Sequence, residues 1–309
     1  MNTRECFYYS AFGFKLLSPI RLPELTVINQ CNITPDITIV FNNLQETWDS
    51  HTKDNDYFYI EKDFILVNIP KVGIFSIHGG KEIVVSPFKD VQEDQLRLYM
   101  LGTCMGAVLM QRRILPLHGS AIEINGKAYA IVGESGAGKS TTASALLNKG
   151  YKLISDDVIP VTLNEENIPV VTPAYPQQKL WQESLDKFGM DSSSYRPVVD
   201  RETKFAIPVH KHFSSTRLPL AGVFELIKTN NEEVEIREIQ QLERFHSLYL
   251  HTYRNFFLKP AGLMEWHFKV CADMVNKLDL YQIQRPSSRF TTEELTALIL
   301  SSINKEVVV

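Results

Sequence analysis

Hydrophobic positions in the first 90 residues come in short runs broken by turn residues. Phe7-Tyr-Tyr-Ser-Ala-Phe-Gly-Phe-Lys-Leu-Leu17 mixes aromatic and small residues as strands do, and Asp36-Ile-Thr-Ile-Val-Phe41 alternates cleanly. Between Tyr57 and Phe88, three β-branched or aromatic runs are separated by Asp63, by Pro70-Lys-Val-Gly73 and by Gly79-Gly80. The pattern then changes. From about Val91 to Arg113 the apolar side becomes broad, which predicts a long helix wedged between two layers. Its greasiest stretch, Leu98 to Met110, is 13 residues long and too short to cross a bilayer. These shifts predict a β-rich domain over residues 1–90 and a second domain over 91–309, with a helical C-terminal part.

The second domain mixes strand and helix periods, the mark of an α/β fold. Asn125-Gly126 between two apolar runs predicts a hairpin. Ala128-Tyr-Ala-Ile-Val132 reads as a strand, Ser140 to Lys149 as a helix, and Gly150 stands where a glycine would end that helix. Tyr151 to Ile159 is a further strand. Met190 to Lys204 is polar and Ser-rich and predicts a mobile loop. Ala221 to Lys228 predicts a strand and Thr229-Asn-Asn-Glu-Glu233 a turn. Gln241 to Leu280 reads as mostly helical, broken near Lys259-Pro-Ala-Gly262, and Thr291-Thr-Glu-Glu294 is a capping-box sequence for the last helix.

The chemistry begins at Gly133-Glu-Ser-Gly-Ala-Gly-Lys-Ser140, which fits the phosphate-binding loop pattern G-x-x-x-x-G-K-[ST]. Gly133, Gly136 and Gly138 let successive N–H groups turn inward toward phosphate oxygens, with Glu134, Ser135 and Ala137 completing the cradle. Lys139 supplies a point charge for the β- and γ-phosphates, Ser140 a hydroxyl for Mg²⁺, and Thr141 follows at the start of the helix. Strand, loop, helix is the setting this motif requires. The expected ligands are ATP or another nucleoside triphosphate, and Mg²⁺.

An acidic partner is needed next. Ser155-Asp156-Asp157 follows the apolar pair Leu153-Ile154, so a strand beside the loop strand would deliver both carboxylates to the γ-phosphate end. One carboxylate can hold Mg²⁺, and the other can accept a proton from an attacking hydroxyl. His118 precedes Gly119 where it can orient that pair. Arg254, in His251-Thr-Tyr-Arg254, falls in a helix-like stretch from which it can reach phosphate or substrate. Lys179, Arg201, Lys204 and Arg285 are further basic candidates for the transferred phosphate, unranked by sequence.

Composition narrows the partners. The formal net charge of −4 gives no general attraction to nucleic acid or an anionic membrane, so neither is an expected partner. Cys6, Cys31, Cys104 and Cys271 are scattered and form no CxxC, which suits a reducing cytoplasm rather than a disulfide framework. The N-terminus shows no continuous apolar run of the signal-peptide kind.

The stretch from His118 through Ser140, followed by Gly150-Tyr-Lys-Leu-Ile-Ser-Asp-Asp157, closely resembles the core of the HPr kinase/phosphorylase superfamily. That superfamily shares its P-loop core with the phosphoenolpyruvate carboxykinase type of fold. The layout of the whole chain is similar to that of the stand-alone HPr-kinase-like serine kinases that accompany lasso-peptide precursors. The shared features are the β-rich N-terminal part, Pro173-Ala-Tyr-Pro176, Leu180-Trp181, the His251 to Arg254 region and Arg285-Pro286. The resemblance implies Asp156 as general base with His118 beside it, and Ser140 and Asp157 as Mg²⁺ ligands. It also implies a peptide substrate phosphorylated on serine, typically at the C-terminus. The Glu-Arg-Gly run of the HPr enzymes should fall near Leu218-Pro-Leu-Ala-Gly222 and is absent, which weighs against HPr as the acceptor. Three rivals stand beside this reading: a kinase of a free small molecule such as serine, a non-catalytic nucleotide-dependent module that binds a peptide, and, less favoured, a carboxykinase-like decarboxylase. The oligomeric state is left open, a homo-oligomer included.

Overall fold

The structure, a computed structural model, describes residues 6–30, 33–53, 56–198 and 201–305, and the side chains of residues 201, 202 and 305 are outside that description. Cys31, the first five residues and the Arg201 side chain, all used in the sequence reading, lie outside it. The chain divides into two compact units, one of residues 1–116 with 254–268 and one of residues 117–253 with 269–309. The first unit therefore extends past residue 90. It takes in the helix that follows, because that helix packs on the first unit's own sheet.

That sheet has eight strands, in the spatial order Thr26–Val27, Phe7–Ala11, Phe14–Ser18, Ile37–Phe41, Glu82–Pro87, Gly73–His78, Phe64–Ile69 and Phe58–Ile60. The turns read from Pro70–Gly73 and Gly79-Gly80 join its antiparallel hairpins. Alternation along Gly73–His78 lets both faces of the sheet be covered. Ile74 packs with Trp48 of the helix Gln45–His51 on one side, and the Phe75 ring lies 6.3 Å from Tyr99 on the other. Tyr99 belongs to a continuous helical run of Glu93–Tyr99, a π-helical segment Met100–Cys104, and Met105–Gln111. Cys104 and the whole Met105–Met110 stretch are buried.

In the second unit the strand Lys127–Gly133 pairs antiparallel with Leu115–Ile124 through the Asn125-Gly126 turn, both residues at positive φ as a two-residue hairpin needs. It pairs parallel on its other side with Leu218–Thr229, which pairs parallel with Asp279–Pro286. Lys152–Leu163 lies next to Leu115–Ile124 in the same seven-stranded sheet. The helices Lys139–Asn148 and Thr292–Lys305 cover one face, burying Leu146, Leu295 and Ile299 against Ile131, Leu226 and Ile283. Each such side chain contributes about 1.5–3 kcal/mol by leaving water. Mixed α/β architecture is thus established.

Three expectations are corrected. The Met190–Lys204 stretch is not simply a loop. It holds a short 3-10 turn Ser192–Ser194, the strand Arg196–Val198 and the start of Arg201–Pro208, which pair with Gln177–Trp181 in a three-stranded sheet. Phe205 and Ile207, beyond the polar run, bury the face of that sheet with Leu180 and Leu185. The helical reading of Gln241 to Leu280 holds for Leu242–Leu250 and Met264–Val275, but Arg254 sits at left-handed φ 53° before a single 3-10 turn, Asn255–Phe257, rather than in a helix. The last helix lacks its capping box: Thr291 Oγ1 is buried without a hydrogen-bond partner, and only the Thr291 carbonyl serves, accepting from the Leu295 N–H. No described helix is long and apolar enough to cross a membrane.

Candidate active site

Gly133, Gly136 and Gly138 take φ of 145°, 80° and 105°, a backbone that residues with a Cβ rarely adopt. The loop they form closes directly onto the helix that starts at Lys139, so unpaired helix N–H groups face the cradle. Glu134, Ser135 and Gly136 form its exposed rim, while Ala137 is buried beneath. Lys139 is buried, its ammonium donating at 2.9 Å to the carbonyls of Gly133 and Glu134. Burial lowers its pKa, against the pull of Asp156 and Asp157. Arg285, one of the unranked basic candidates, braces the loop from outside: its Nε donates to the Ala137 carbonyl at 2.7 Å. Lys204 lies 5.4 Å over the Trp181 ring.

The carboxylates come from the strand Lys152–Leu163. In a regular strand neighbouring side chains point to opposite faces. Asp157 breaks that alternation with φ 74°, a left-handed value in mid-strand, and the Ser155 hydroxyl donates to the Val158 carbonyl at 2.5 Å across the kink. Both carboxylates can then reach Lys179. Asp156 is only 5% exposed and fully engaged: one oxygen accepts from Ser120 Oγ at 2.5 Å and Ser140 Oγ at 3.2 Å, the other from the Lys179 backbone N–H at 2.8 Å. The Asp157 side chain is 24% exposed; its Oδ2 accepts from Lys179 Nζ at 2.7 Å and its Oδ1 lies 3.5 Å from His118 Nδ1. Burial would raise the Asp157 pKa, but the Lys179 ammonium and His118 outweigh it and hold it well below the usual carboxylate range. The same pair holds Lys179 above its ordinary value against burial.

His118 Nδ1 lies 3.0 Å from the Asp157 carbonyl oxygen. A carbonyl can only accept, so Nδ1 carries the proton and Nε2 the lone pair in the neutral ring. Burial lowers the His118 pKa despite the nearby Asp157, which keeps the ring neutral at pH 7. Its backbone N–H donates to the His251 carbonyl at 2.7 Å, and the His251 ring meets the buried Glu225 carboxylate at 2.7 Å. The Gly119 next to it has a packing reason: a Cβ there would run into the Ile131 carbonyl oxygen.

Sequence reasoning assembled the P-loop, His118, Asp156 and Asp157, and the structure brings these together. It exchanges one detail: the carboxylate touching the P-loop hydroxyl is Asp156, not Asp157, because the kink turns Asp157 away toward His118. Arg254 is described in the first unit, where its guanidinium donates to Thr103 Oγ1 at 3.0 Å and lies 5.9 Å over each of the Phe58 and Phe256 rings. The sequence did not single out Ser120, Gln178 or Ser184. Gln178 Nε2 donates to the Ser140 carbonyl at 3.0 Å, and Ser184 meets Thr141 Oγ1 at 2.8 Å. Their common signal was proximity to His118-Gly119 and to Leu180-Trp181.

A glycine cradle at a helix N-terminus, a buried lysine above it, and a hydroxyl beside a carboxylate make up a P-loop core. Their oxygen donors suit a hard cation such as Mg²⁺. Within that class, residues 111–180 match the HPr Serine kinase C-terminal domain. The HPr kinase/phosphorylase of Lactobacillus gasseri is 27% identical over 130 residues, covering 39% of this chain and 41% of that protein. The HPr kinase/phosphorylase of Limosilactobacillus reuteri is 43% identical over 56 residues, 18% of either chain. The Hpr(Ser) kinase/phosphatase from Coxiella burnetii aligns with a TM-score of 0.35 and 14% identity, over 62% of this chain and 92% of its own. The core is HPr kinase-like, and this chain spans about two fifths of the length of the first of these relatives.

Proposed function

We propose that this protein is a kinase that transfers the γ-phosphoryl group of a nucleoside triphosphate, ATP being the expected donor, to a serine hydroxyl of a peptide. One observation carries the reading: the kink at Asp157 sets two carboxylates in separate environments, Asp156 on the P-loop serine and Asp157 against His118 and Lys179. Ser140 and Asp156 would hold Mg²⁺, which when bound supplies positive charge to the β- and γ-phosphate oxygens. Lys139, the loop amides and the helix N-terminus neutralise the transferring group. Asp157, the more exposed carboxylate, takes the proton of the attacking hydroxyl. His118 fixes the Asp157 backbone through its carbonyl and keeps a neutral ring at the site. This assignment gives Asp157 the base role expected of Asp156. The layout shared with lasso-peptide-associated kinases supports a C-terminal serine of such a precursor as the acceptor.

The test is mass spectrometry of acceptors incubated with the protein, Mg²⁺ and ATP. The panel holds peptides with internal or C-terminal serine and free serine, with Lys139→Ala as control. The expected outcome is a peptide gaining one phosphate on its C-terminal serine with the wild type only. Phosphoserine from free serine alone would replace the peptide with a small molecule as substrate, and bound ATP with no acceptor modified would replace the kinase with a peptide-binding module.

A further inference from the structure

The three-stranded sheet beside the site has two unlike faces. Leu180, Phe205 and Ile207 turn to one of them, where they pack with Leu185. Lys179 and Trp181 flank Leu180 on the strand Gln177–Trp181 and therefore turn to the other. Directly paired residues of antiparallel strands share a face. Trp181 pairs with Lys204, and Ala206 pairs with both Lys179 and Arg196, so Lys204, Ala206 and Arg196 lie on the Lys179 face as well. Among the described residues the charged side chains of that face are all cations, a surface complementary to an anion. One of them is already matched: the Lys179 ammonium meets the Asp157 carboxylate at 2.7 Å. Lys204 is the diagonal neighbour of Lys179 across the strand pair, a position about 7–8 Å away. It is held 5.4 Å over the Trp181 ring, and its charge favours the Asp157 anion as that of Lys179 does. The P-loop has its own buried cation in Lys139. Lys204 instead stands beside the carboxylate assigned to the acceptor hydroxyl.

We infer that Lys204, held over Trp181, is a specificity-determining residue that binds the terminal α-carboxylate of the acceptor peptide. This subsite rests on the kinase reading above and gives its acceptor a recognition element. On a C-terminal serine only Cα and Cβ separate the hydroxyl from the carboxylate. A hydroxyl delivered to Asp157 therefore brings an anion within range of the long Lys204 side chain. An internal serine brings a neutral amide to the same place, a weaker partner for an ammonium. Arg196 carries the same charge on the same face but belongs to the edge strand Arg196–Val198, one strand farther from Lys179 than Lys204 is. It separates a direct contact from the general field of the face.

The experiment gives the full chain two forms of one serine-ended peptide, the free acid and the C-terminal amide. The first comparison thus changes only the ligand and needs no variant to fold. Binding is read by calorimetric titration with Mg²⁺ and a non-hydrolysable ATP analogue, and transfer by mass spectrometry with ATP. The wild type is expected to prefer the acid by about 10–10²-fold in both affinity and kcat/KM, the range of a charge-assisted hydrogen bond. Lys204→Met should bring that ratio near one, Lys204→Arg should keep most of it, and Arg196→Met should keep it whole. Any effect of the Lys204 charge on Asp157 falls on both peptides alike, so the ratio isolates the carboxylate. Equal use of acid and amide by the wild type would overturn the subsite, as would a ratio that survives Lys204→Met. A ratio lost equally in Arg196→Met would replace the Lys204 contact with a diffuse field and overturn it too. A wild type that binds the acid preferentially but phosphorylates neither peptide would overturn the kinase reading and leave the subsite standing. A wild type that binds neither peptide would overturn the subsite, whatever else it phosphorylates.

Discussion

At the scale of single residues, the two adjacent aspartates do different things because their surroundings differ. Asp156 is buried and accepts from three donors, while Asp157 keeps a partly open oxygen beside a neutral histidine. Asp157→Asn is therefore expected to lower turnover by several orders of magnitude while leaving nucleotide affinity within about threefold, measured by calorimetric titration beside the peptide assay. Asp156→Asn should instead raise the Mg²⁺ concentration needed for half-maximal rate. A second titration is far from this chemistry. His267 is buried in the first unit, and burial takes its pKa from 6.5 to about 4. A histidine depressed in the folded state favours folding above its unfolded pKa and loses that contribution as pH falls toward the folded value. The loss between pH 6.5 and 4 is about 3 kcal/mol. His267→Leu should flatten the acid side of the stability profile over that window, read by urea denaturation at successive pH values.

At the scale of elements, the site depends on close backbone approach and on one broken strand. Gly119 passes against the P-loop strand where a side chain does not fit. Gly119→Ala is expected to cost about 1–3 kcal/mol and to displace His118, so that loss of transfer accompanies a lowered Tm. The hairpin and the P-loop were legible because their determinants are local: a two-residue Asn-Gly turn and glycines at positive φ. The three-stranded sheet was not, because the polar residues preceding Phe205 and Ile207 mask a face that only Leu180 and Leu185 complete. The capping-box sequence at Thr291 misled for a similar reason: the hydroxyl is buried among neighbours brought in by tertiary packing.

At the scale of the whole molecule, the first unit is built from discontinuous sequence. Phe257, Leu258, Ala261 and Leu263 are buried and belong with residues 1–116, and the Phe257 ring lies 5.7 Å from Phe58. A 1–116 fragment lacks those side chains, and losing large buried residues of this kind costs roughly 2–5 kcal/mol each. It is expected to lack a cooperative thermal transition by near-UV circular dichroism, and a 254–268 segment supplied in trans should restore part of the signal. The expected division at residue 90 followed a change of hydrophobic period, which marks where strands give way to helix. It does not mark which sheet that helix covers.

The sequence by itself determined the α/β class and the glycine pattern of the loop, and it singled out His118, Asp156 and Asp157. Each of these follows from local backbone sterics, hydrophobic period or a short motif. Tertiary structure decided the pairings between distant segments. It set Ser120 and Ser140 on Asp156, Lys179 and His118 on Asp157, and Arg254 with Thr103. The physical reason is that a strand's alternation assigns neighbouring side chains to opposite faces, and only packing pays the strain of the left-handed Asp157 that brings two carboxylates to one site.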